Sequence, residues 1–290
     1  LSGEYYQPLD LKSRFFISPY LGYSDREVLS LGPEYSTEDL IGSWRVRDLN
    51  AEFSVGADVF NDSQFRLGLF RRWGEYRIDV ATSEGLPEDS YNEGGAYLSY
   101  RFDNLDNAYF PTSGALFYTD YELHRSCMGA DRKFERWQVI GEAALSFGAE
   151  QRNTLLFTGK LGQTWHAANE PQNYFQLGGL FNLSGLSQDF YSGRQMGFLM
   201  ARYQRRLSDT SVVPLDMPVY VGASLEGGQL WRERSQMDVD DFITAGSIYL
   251  GIDSPIGPIY LAYGRTEDSF DALYISLGWP FVVGDNRLRR

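Results

Sequence analysis

The stretch RDLNAEFSVGADVF, residues 47–60, is the most informative part of this chain for its fold. Apolar and polar side chains alternate along it without a break, which is the pattern of a β-strand with two unlike faces. A soluble strand usually has about 5–6 residues, whereas a strand that crosses a bilayer needs about 9–11. The stretch therefore predicts a membrane-spanning strand. Its apolar face comprises Leu49, Ala51, Phe53, Val55, Ala57 and Val59, and its polar face Asp48, Asn50, Glu52, Ser54, Gly56 and Asp58.

The same alternation recurs in several long segments of the chain. These are residues 94–104, 114–126, 133–149, 216–230 and 272–281. Short turns lie at 10–13, 61–63, 150–153, 207–215 and 254–257, and longer polar connections at 31–38, 83–93, 127–132, 167–194 and 231–241. Because the two kinds of connection alternate, they predict short turns on one side of a membrane and long loops on the other, as in outer-membrane barrels.

The predicted fold class is all-β, an antiparallel transmembrane β-barrel with about thirteen strands in this chain. The barrel is expected to occupy residues 1–281, with 282–290 as a short tail. Single-chain bacterial barrels have an even number of strands, and an open strand edge in lipid leaves backbone groups unpaired. We therefore expect that N-terminal strands are missing, or that another chain, as in a homo-oligomer, meets the edge. A miscount by one strand is the alternative.

The composition agrees with a barrel and argues against some partners. Aromatic residues make up 16 % of the chain, Gly occurs 30 times and mean hydropathy is −0.36, as expected where only every second residue meets lipid. A soluble β-sandwich shares much of this composition. The net charge of −13 argues against a nucleic-acid partner. Cys127 is the single cysteine, which excludes a disulfide framework within the chain.

Residues 103–114 read DNLDNAYFPTSG and have the features of a tight connection. Asp and Asn side chains accept hydrogen bonds from backbone donors, Pro111 restricts φ, and Gly114 opens the next strand. The segment resembles the D-x-x-D-N-x-x-F-P-T-x-G turn of the BamA/TamA/FhaC superfamily of outer-membrane barrels. The resemblance implies a periplasmic turn, and the residues that match it are Asp103, Asp106, Asn107, Phe110, Pro111 and Gly114.

Two C-terminal segments resemble the same superfamily. Residues 253–258, DSPIGP, are similar to its (T/S)-P-I-G-P turn, and residues 273–281, LYISLGWPF, resemble the C-terminal signal that is recognised during barrel assembly. The resemblance implies an integral protein of the bacterial outer membrane, with lipid and the barrel assembly machinery as partners. The residues assigned to the signal are Tyr274, Leu277, Trp279 and Phe281.

Residues 178–186, GGLFNLSGL, lie where the superfamily has an inward-folded loop with a V-R-G-F/Y tip. The four matching positions are Leu183, Ser184, Gly185 and Leu186. In the superfamily the arginine pairs with an acidic residue on the strand wall, for which Glu226 is the candidate in this chain. Because Ser184 replaces the arginine, that ion pair cannot form here. The replacement argues against insertase or two-partner transporter activity.

Other segments resemble one branch of the superfamily. Residues 4–9, EYYQPL, residues 14–19, RFFISP, and residues 181–186, FNLSGL, are similar to the barrel of patatin-like type V (class d) secreted phospholipases. The resemblance implies an N-terminal patatin lipase domain, a POTRA domain and a C-terminal barrel of sixteen strands. This chain would begin some three strands into that barrel, which would account for the odd strand count.

Catalysis by this segment, a metal and a cofactor are not expected. Patatin lipases use a serine in G-x-S-x-G, and the nearest match, GASLE at 222–226, lacks the last glycine and lies on a predicted strand rather than at a strand-to-helix turn. His124 and His166 lack partners at metal-ligand spacing and are expected at strand ends or in the lumen, bonded to water. The acidic run 238–241 could bind Ca²⁺, but a solvated loop is the simpler interpretation.

Two larger sets of residues have alternative interpretations. Aromatic residues near strand ends form either a sugar-binding platform or, more simply, a membrane-interface girdle; they are Tyr5, Tyr6, Phe15, Phe16, Tyr109, Phe110, Trp165, Trp231, Trp279 and Phe281. Polar residues of the predicted lumen either line a pore or form a network around the inward loop. We favour the network, because Leu183 and Leu186 give the loop something apolar to bury. The polar set is Arg101, Asp103, Asp120, Glu122, Glu142, Lys160, Arg202 and Glu226.

The sequence and its resemblances together predict an outer-membrane barrel that anchors an N-terminal passenger and takes part in its export by type V secretion. The loop near residues 184–186 would plug the lumen, and an imperfect seam would open laterally. One alternative is an insertase or two-partner secretion transporter that acts on other polypeptides. The other alternative is a passive diffusion pore.

Overall fold

The structure, a computed structural model, describes residues 1–11, 14–31, 40–60, 62–81, 88–167, 170–208 and 217–278. The strands are β1 (Ser2–Glu4), β2 (Gln7–Pro8), β3 (Phe15–Leu31), β4 (Leu40–Val59), β5 (Ser63–Ala81), β6 (Asp89–Asp103), β7 (Ser113–His124), β8 (Phe134–Phe147), β9 (Asn153–Trp165), β10 (Phe175–Leu177), β11 (Tyr191–Gly193), β12 (Gln195–Ser208), β13 (Val219–Trp231), β14 (Ile243–Ser254), β15 (Gly257–Thr266) and β16 (Asp271–Leu277). Short 3-10 helices lie at Ser126–Met128, Ala149–Gln151, Pro171–Asn173 and Arg234–Gln236. Within the described ranges, no helix is long and apolar enough to cross a membrane.

Fourteen of the strands form one sheet in which every neighbouring pair is antiparallel. The order is β1, β3 to β9 and β12 to β16. Successive strands of this sheet therefore pair with each other, and the hairpin β10–β11 between β9 and β12 forms a separate sheet. β2 pairs with the other end of β3. Because β1 and β2 share one position beside β3, the sheet is thirteen positions wide in the described residues. This confirms the predicted antiparallel fold and its approximate strand number. The edges of the described sheet are β1–β2 on one side and β16 on the other.

The sheet exposes its apolar face and encloses its polar face. On β4, Leu49, Phe53 and Val55 are 42 %, 49 % and 46 % exposed, whereas Asp48 and Glu52 are each 6 % exposed. Successive side chains of a strand point to opposite faces, so β4 has one open apolar face and one enclosed polar face. A soluble sandwich would bury the apolar face. The observed distribution is that of a membrane barrel with a polar interior.

The interior is filled in part by the connection between β9 and β12. This connection, the inward loop (residues 166–194), carries the two-stranded hairpin β10–β11. Leu177, Phe181 and Leu183 of the loop are fully buried. They belong to the largest apolar cluster of the described residues, together with side chains of β12 to β15. The loop therefore packs against the wall, by which we mean the lumen-facing side of the barrel strands.

The structure corrects the predicted aromatic girdle at three positions. Phe16, Phe110 and Trp231 are 0 %, 1 % and 5 % exposed and so do not face lipid. Phe15 and Phe16 are adjacent on β3, and since adjacent side chains point to opposite faces, only Phe15 can lie outside. Phe110 is inserted among aromatic rings of the wall. Trp231 packs on the β13–β14 connection, where its Nε1 donates to Asp241 Oδ2 (3.3 Å).

Candidate functional site: the inward loop and its docking wall

The β10–β11 hairpin reaches across the interior to a distant strand. Ser192 Oγ donates a hydrogen bond to the carbonyl oxygen of Leu29 (2.6 Å), and Gln176 Nε2 donates to the carbonyl oxygen of Glu27 (2.9 Å). Both acceptors belong to β3, whereas the inward loop leaves the sheet at β9 and rejoins it at β12. Since β4 to β9 lie between β3 and β12 in the sheet, these contacts place the hairpin across the lumen.

The tip of the inward loop, residues 183–186, docks on β13 through one carboxylate. Glu226 is 2 % exposed, and its Oε2 accepts hydrogen bonds from the backbone N–H groups of Leu183 and Ser184, both at 2.8 Å. Its Oε1 accepts from Ser184 Oγ (2.7 Å) and from Ser224 Oγ (2.5 Å). Hydrogen bonds to an ionised acceptor are shorter and stronger than neutral ones. The tip is therefore bound to Glu226 without an arginine.

The tip and the residues just before it adopt backbone conformations that most residues avoid. Phe181 and Leu183 have φ values of 60° and 76°, and each such conformation costs on the order of 1–3 kcal/mol. Ser184 Oγ accepts a hydrogen bond from the Phe181 N–H (2.9 Å), which helps to hold the turn. Gly185 has a φ of 113°, and a Cβ there would lie 2.7 Å from the carbonyl oxygen of Phe270. Gly185 is thus required both by its conformation and by the closeness of the end of β15 and of the β15–β16 connection.

The tip also binds the last strand of the described sheet. The Gly185 N–H donates to Tyr274 Oη (2.8 Å), and Tyr274 Oη donates to the carbonyl oxygen of Leu186 (2.6 Å). Tyr274 lies on β16, which has β15 as its neighbouring strand within the described residues. The structure therefore brings a residue assigned to the C-terminal signal into contact with the predicted loop tip.

Positive charge reaches the loop from the wall. Lys160 on β9 is 6 % exposed, and its Nζ donates to Asn182 Oδ1 (2.8 Å). Arg202 on β12 is 1 % exposed, and its guanidinium carbon lies 4.8 Å from the centre of the Phe181 ring. Both contacts agree with the favoured interpretation of the sequence, in which Lys160 and Arg202 belong to a network around the inward loop. No local pattern indicates which loop residue each of them contacts.

Other predicted lumen residues make contacts within the wall. Arg101 pairs with Asp103 (2.6 Å), and Glu142 Oε2 accepts a hydrogen bond from Thr158 Oγ1 (3.3 Å). Asp120 is 2 % exposed and also lies in the interior.

The structure pairs each histidine with a carboxylate, a partner that the sequence did not indicate. His124 Nε2 lies 3.0 Å from Glu122 Oε2, and His166 Nδ1 lies 3.0 Å from Glu135 Oε2. His124 is on the inner face at the end of β7, where burial favours a partner from the protein. Within the described part of the chain, no group of three or more His, Cys, Asp or Glu residues could hold a metal ion.

The β6–β7 turn, residues 104–112, is organised by three side-chain acceptors of the predicted turn motif. Asp103 accepts a hydrogen bond from the backbone N–H of Leu105 (3.2 Å). Asp106 accepts from the backbone N–H groups of Thr112 (2.8 Å) and Ser113 (3.0 Å). Asn107 accepts from those of Tyr109 (2.7 Å) and Phe110 (3.0 Å). Partial burial would raise the pKa of Asp106, but hydrogen bonds from the Thr112 hydroxyl and from these backbone N–H groups outweigh it and hold the pKa below its usual value.

The same turn is inserted into the short-turn end of the barrel. Phe110 stacks on Tyr220 of β13, with ring centroids 4.2 Å apart and an interplanar angle of 3°. Gln204 Nε2 of β12 donates to the carbonyl oxygen of Pro111 (2.9 Å). Gly114 has a φ of 100°, a region that favours glycine. The turn is therefore attached to the same wall strands that bind the inward loop.

The remaining predicted site residues are placed as follows. Leu277 is 63 % exposed on the outer face of β16, whereas Trp279 and Phe281 lie outside the described residues. Ser224, the serine of the incomplete lipase motif, lies within β13 and donates to Glu226. It is on a strand and not at a strand-to-helix turn.

These features define a class of protein: an antiparallel membrane barrel with an inward-folded loop that docks on the barrel's own wall. The profile of the Omp85 superfamily domain matches residues 3–285. The chain therefore belongs to the Omp85 superfamily and is an integral β-barrel of the bacterial outer membrane. No curated protein sequence matches it.

Solved structures show the same fold at low sequence identity. BamA from Haemophilus ducreyi lacking POTRA domains 1–3 is 15 % identical, with a TM-score of 0.71, and the match covers 95 % of this chain and 60 % of that one. CdiB from Escherichia coli is 14 % identical, with a TM-score of 0.58 and coverages of 91 % and 48 %. CdiB from Acinetobacter baumannii is 8 % identical, with a TM-score of 0.60 and coverages of 94 % and 47 %. This chain thus spans about half to three-fifths of the length of these proteins.

Proposed function

We propose that this barrel handles polypeptides at the outer membrane, with its lumen closed at rest by the inward loop. The observation that carries the proposal is the docking of the loop tip on Glu226, together with the crossing of the lumen by the β10–β11 hairpin. A diffusion pore needs an open aqueous path, whereas here the loop buries apolar side chains in the interior. Its membership in the Omp85 superfamily and its likeness to BamA and CdiB support a role with protein substrates.

The finer proposal is that the barrel, over residues 1–281 with 282–290 as a tail, anchors a patatin-like passenger and takes part in its export. The resemblance of residues 4–9, 14–19 and 181–186 to type V phospholipase barrels supports it, and so does Ser184 in place of the arginine. The passenger with its POTRA domain and the barrel assembly machinery are the partners that this proposal implies. The runner-up is an insertase or two-partner transporter, which the likeness to BamA and CdiB favours.

The plug is tested by conductance in planar bilayers. Wild-type protein should show little steady current, and replacement of residues 175–193 by a short Gly-Ser linker should give a stable open conductance. Replacement of residues 233–240, in the exposed β13–β14 connection, by the same linker is the control and should leave the current low. A steady wild-type conductance equal to that of the loop-replaced variant would show that the barrel is a diffusion pore.

The finer proposal is tested by reading the upstream gene sequence and by assaying phospholipid hydrolysis by cells. The reading frame upstream of Leu1 should encode G-x-S-x-G and D-G-G or D-G-A motifs, and cells that express the whole gene should hydrolyse phospholipid at their surface. Substitution of the upstream serine by alanine should abolish the hydrolysis. An upstream region with POTRA domains and no lipase motif would favour the runner-up.

A further inference from the structure

A cavity of about 250 Å³ lies at the long-loop end of the barrel. The end of β5, the start of β6, the β7–β8 connection and the first residues of the inward loop enclose it. The residues on which the inference depends are Tyr76, Tyr91, Glu93, Asp131, Glu170 and Gln172. The cavity is smaller than the roughly 300–1,000 Å³ typical of pockets for drug-sized ligands, so it suits a small group or the end of a side chain.

The lining of the cavity is acidic. Asp89, Glu93, Asp131 and Glu170 oppose a single lining cation, Arg132, and Arg132 Nε is bound to Glu170 Oε1 (2.6 Å). Two further guanidinium groups contact lining residues, since Arg72 pairs with Glu93 (2.5 Å) and Arg26 donates to the carbonyl oxygen of Gln172 (3.2 Å). Four carboxylates against three guanidinium groups leave an excess of negative charge among these described residues, which favours a cation over an anion as the occupant.

Two buried acceptors at the cavity have no donor. Glu93 is 3 % exposed; its Oε2 accepts a hydrogen bond from the Arg72 guanidinium (2.5 Å), but its Oε1 has no partner among the described residues. Gln172 is 8 % exposed, and its Oε1 also lacks a partner there, while its Nε2 donates to Glu170 Oε2 (2.8 Å). Buried acceptors are normally paired. His124 Nδ1, a further buried nitrogen beside Glu93, lies 3.7 Å from Glu93 Oε2, too far for a hydrogen bond, so both acceptor oxygens can accept from a donor outside the chain.

Aromatic rings complete the lining. Tyr76 and Tyr91 are stacked, with centroids 6.3 Å apart and an interplanar angle of 26°, and both are buried. A cation is attracted to the face of an aromatic ring. An ammonium group fits this lining, because it is positively charged and compact and has three N–H donors and no acceptor.

We propose that this cavity binds a primary alkylammonium group. Glu93 and Gln172 accept its hydrogen bonds, and the rings of Tyr76 and Tyr91 surround its alkyl chain. The group can come from a free diamine outside the cell or from a lysine side chain of a polypeptide at the mouth of the barrel. This inference rests on the cavity alone and stands whether or not the barrel handles polypeptides.

Calorimetric titration of the folded protein in detergent micelles with cadaverine, at constant ionic strength, tests the proposal. Wild-type protein should bind cadaverine saturably. Loss of a hydrogen bond to a charged partner weakens binding by roughly ten- to a hundredfold. We therefore expect Glu93→Gln to weaken cadaverine binding by a factor in that range and Gln172→Met to weaken it by about tenfold. Glu75→Gln is the matched control, because Glu75 is on β5, but its carboxylate pairs with Arg77 at 2.8 Å and its side chain is 36 % exposed.

The outcomes separate the site from its alternatives. Gln172→Met keeps the charge and leaves the Arg72–Glu93 pair intact, so its effect cannot arise from loss of that pair; heat-modifiable mobility on gels checks that each variant folds. Absence of saturable binding, wild-type binding by both variants, or equal binding of tetramethylammonium would overturn the proposal and leave water as the occupant. Binding of Nα-acetyl-lysine methylamide as tightly as cadaverine would support a polypeptide source, and binding of cadaverine alone would support a free diamine.

Discussion

Glu226 binds the loop tip with both of its carboxylate oxygens. Three of its four hydrogen bonds come from the tip, and two of these are donated by backbone N–H groups. Backbone donors are present whatever the side chain is, so docking of this kind depends on the conformation of the tip and not on a cation. A serine can therefore occupy position 184, where the resemblance implies an arginine, in a tip that is docked on Glu226.

Replacement of Glu226 by glutamine should undock the tip. The amide has one acceptor oxygen in place of two, and its NH₂ group faces donors, so at least one hydrogen bond to a charged acceptor is lost, at a cost of about 1.5–3 kcal/mol. We expect a lower free energy of unfolding in urea titrations of the protein in lipid vesicles. Glu75→Gln, on the outer face, should change it little. Equal stability of Glu226→Gln and wild type would contradict the docking role.

Replacement of Ser184 by arginine should lower the free energy of unfolding. Ser184 is fully buried, and a Cβ placed on Gly264 would lie only 2.6 Å from Ser184 Cβ, so β15 already touches this residue. Overpacking of such a site costs about 1–3 kcal/mol. Ser184→Ala, which keeps the backbone donors, should be the milder change, at about 1 kcal/mol. Urea titration of both variants tests this, and a Ser184→Arg protein more stable than wild type would refute it.

The β6–β7 turn is an element whose local chemistry could be predicted and whose placement could not. The pattern of Asp, Asn, Pro and Gly predicted that Asp106 and Asn107 cap backbone donors, and the structure has those hydrogen bonds. Local sequence contains no information about what a turn touches at long range. The stacking of Phe110 on Tyr220 joins residues 110 positions apart in the chain, and Phe110 was therefore assigned to the wrong environment.

The turn should become less stable at low pH through Asp106. Its pKa is held below the usual value by hydrogen bonds from Thr112 and Ser113, so its contribution is present above the unfolded pKa of about 3.9 and is lost as the pH falls through the lower, folded value. Wild-type protein should be more stable than Asp106→Asn at neutral pH, and the difference should shrink below about pH 4. Thermal unfolding of both proteins against pH measures this, and a difference that is independent of pH would contradict it.

The inward loop shows the same division between predictable and unpredictable features. Its position in the chain, its glycine and its candidate acceptor Glu226 followed from the motif and from the alternating pattern of β13. The contact of the hairpin with β3 could not be predicted, because Ser192 and Leu29 are far apart in the chain and are joined by a side-chain hydrogen bond to a carbonyl oxygen. Neither periodicity nor spacing predicts such a contact.

At the scale of the whole molecule, the inward loop connects the two halves of the sheet. The β10–β11 hairpin contacts β3, near one edge of the described sheet, and the tip contacts β13 and β16, the latter being the other edge. One loop therefore bears on both edge regions. Displacement of the loop would therefore break contacts in both edge regions of the described sheet at once.

The outer surface provides the last test, because lipid and water respond differently to charge. Leu225, the middle residue of β13, is 64 % exposed, and Val239, in the β13–β14 connection, is 72 % exposed. For a soluble protein, arginine at either position would be nearly neutral. On a lipid-facing strand, arginine near the bilayer midplane costs about 2–4 kcal/mol, so Leu225→Arg should lower the free energy of unfolding by that amount in urea titrations from lipid vesicles. Val239→Arg should leave it almost unchanged, and similar small effects of both substitutions would mean that β13 does not face lipid.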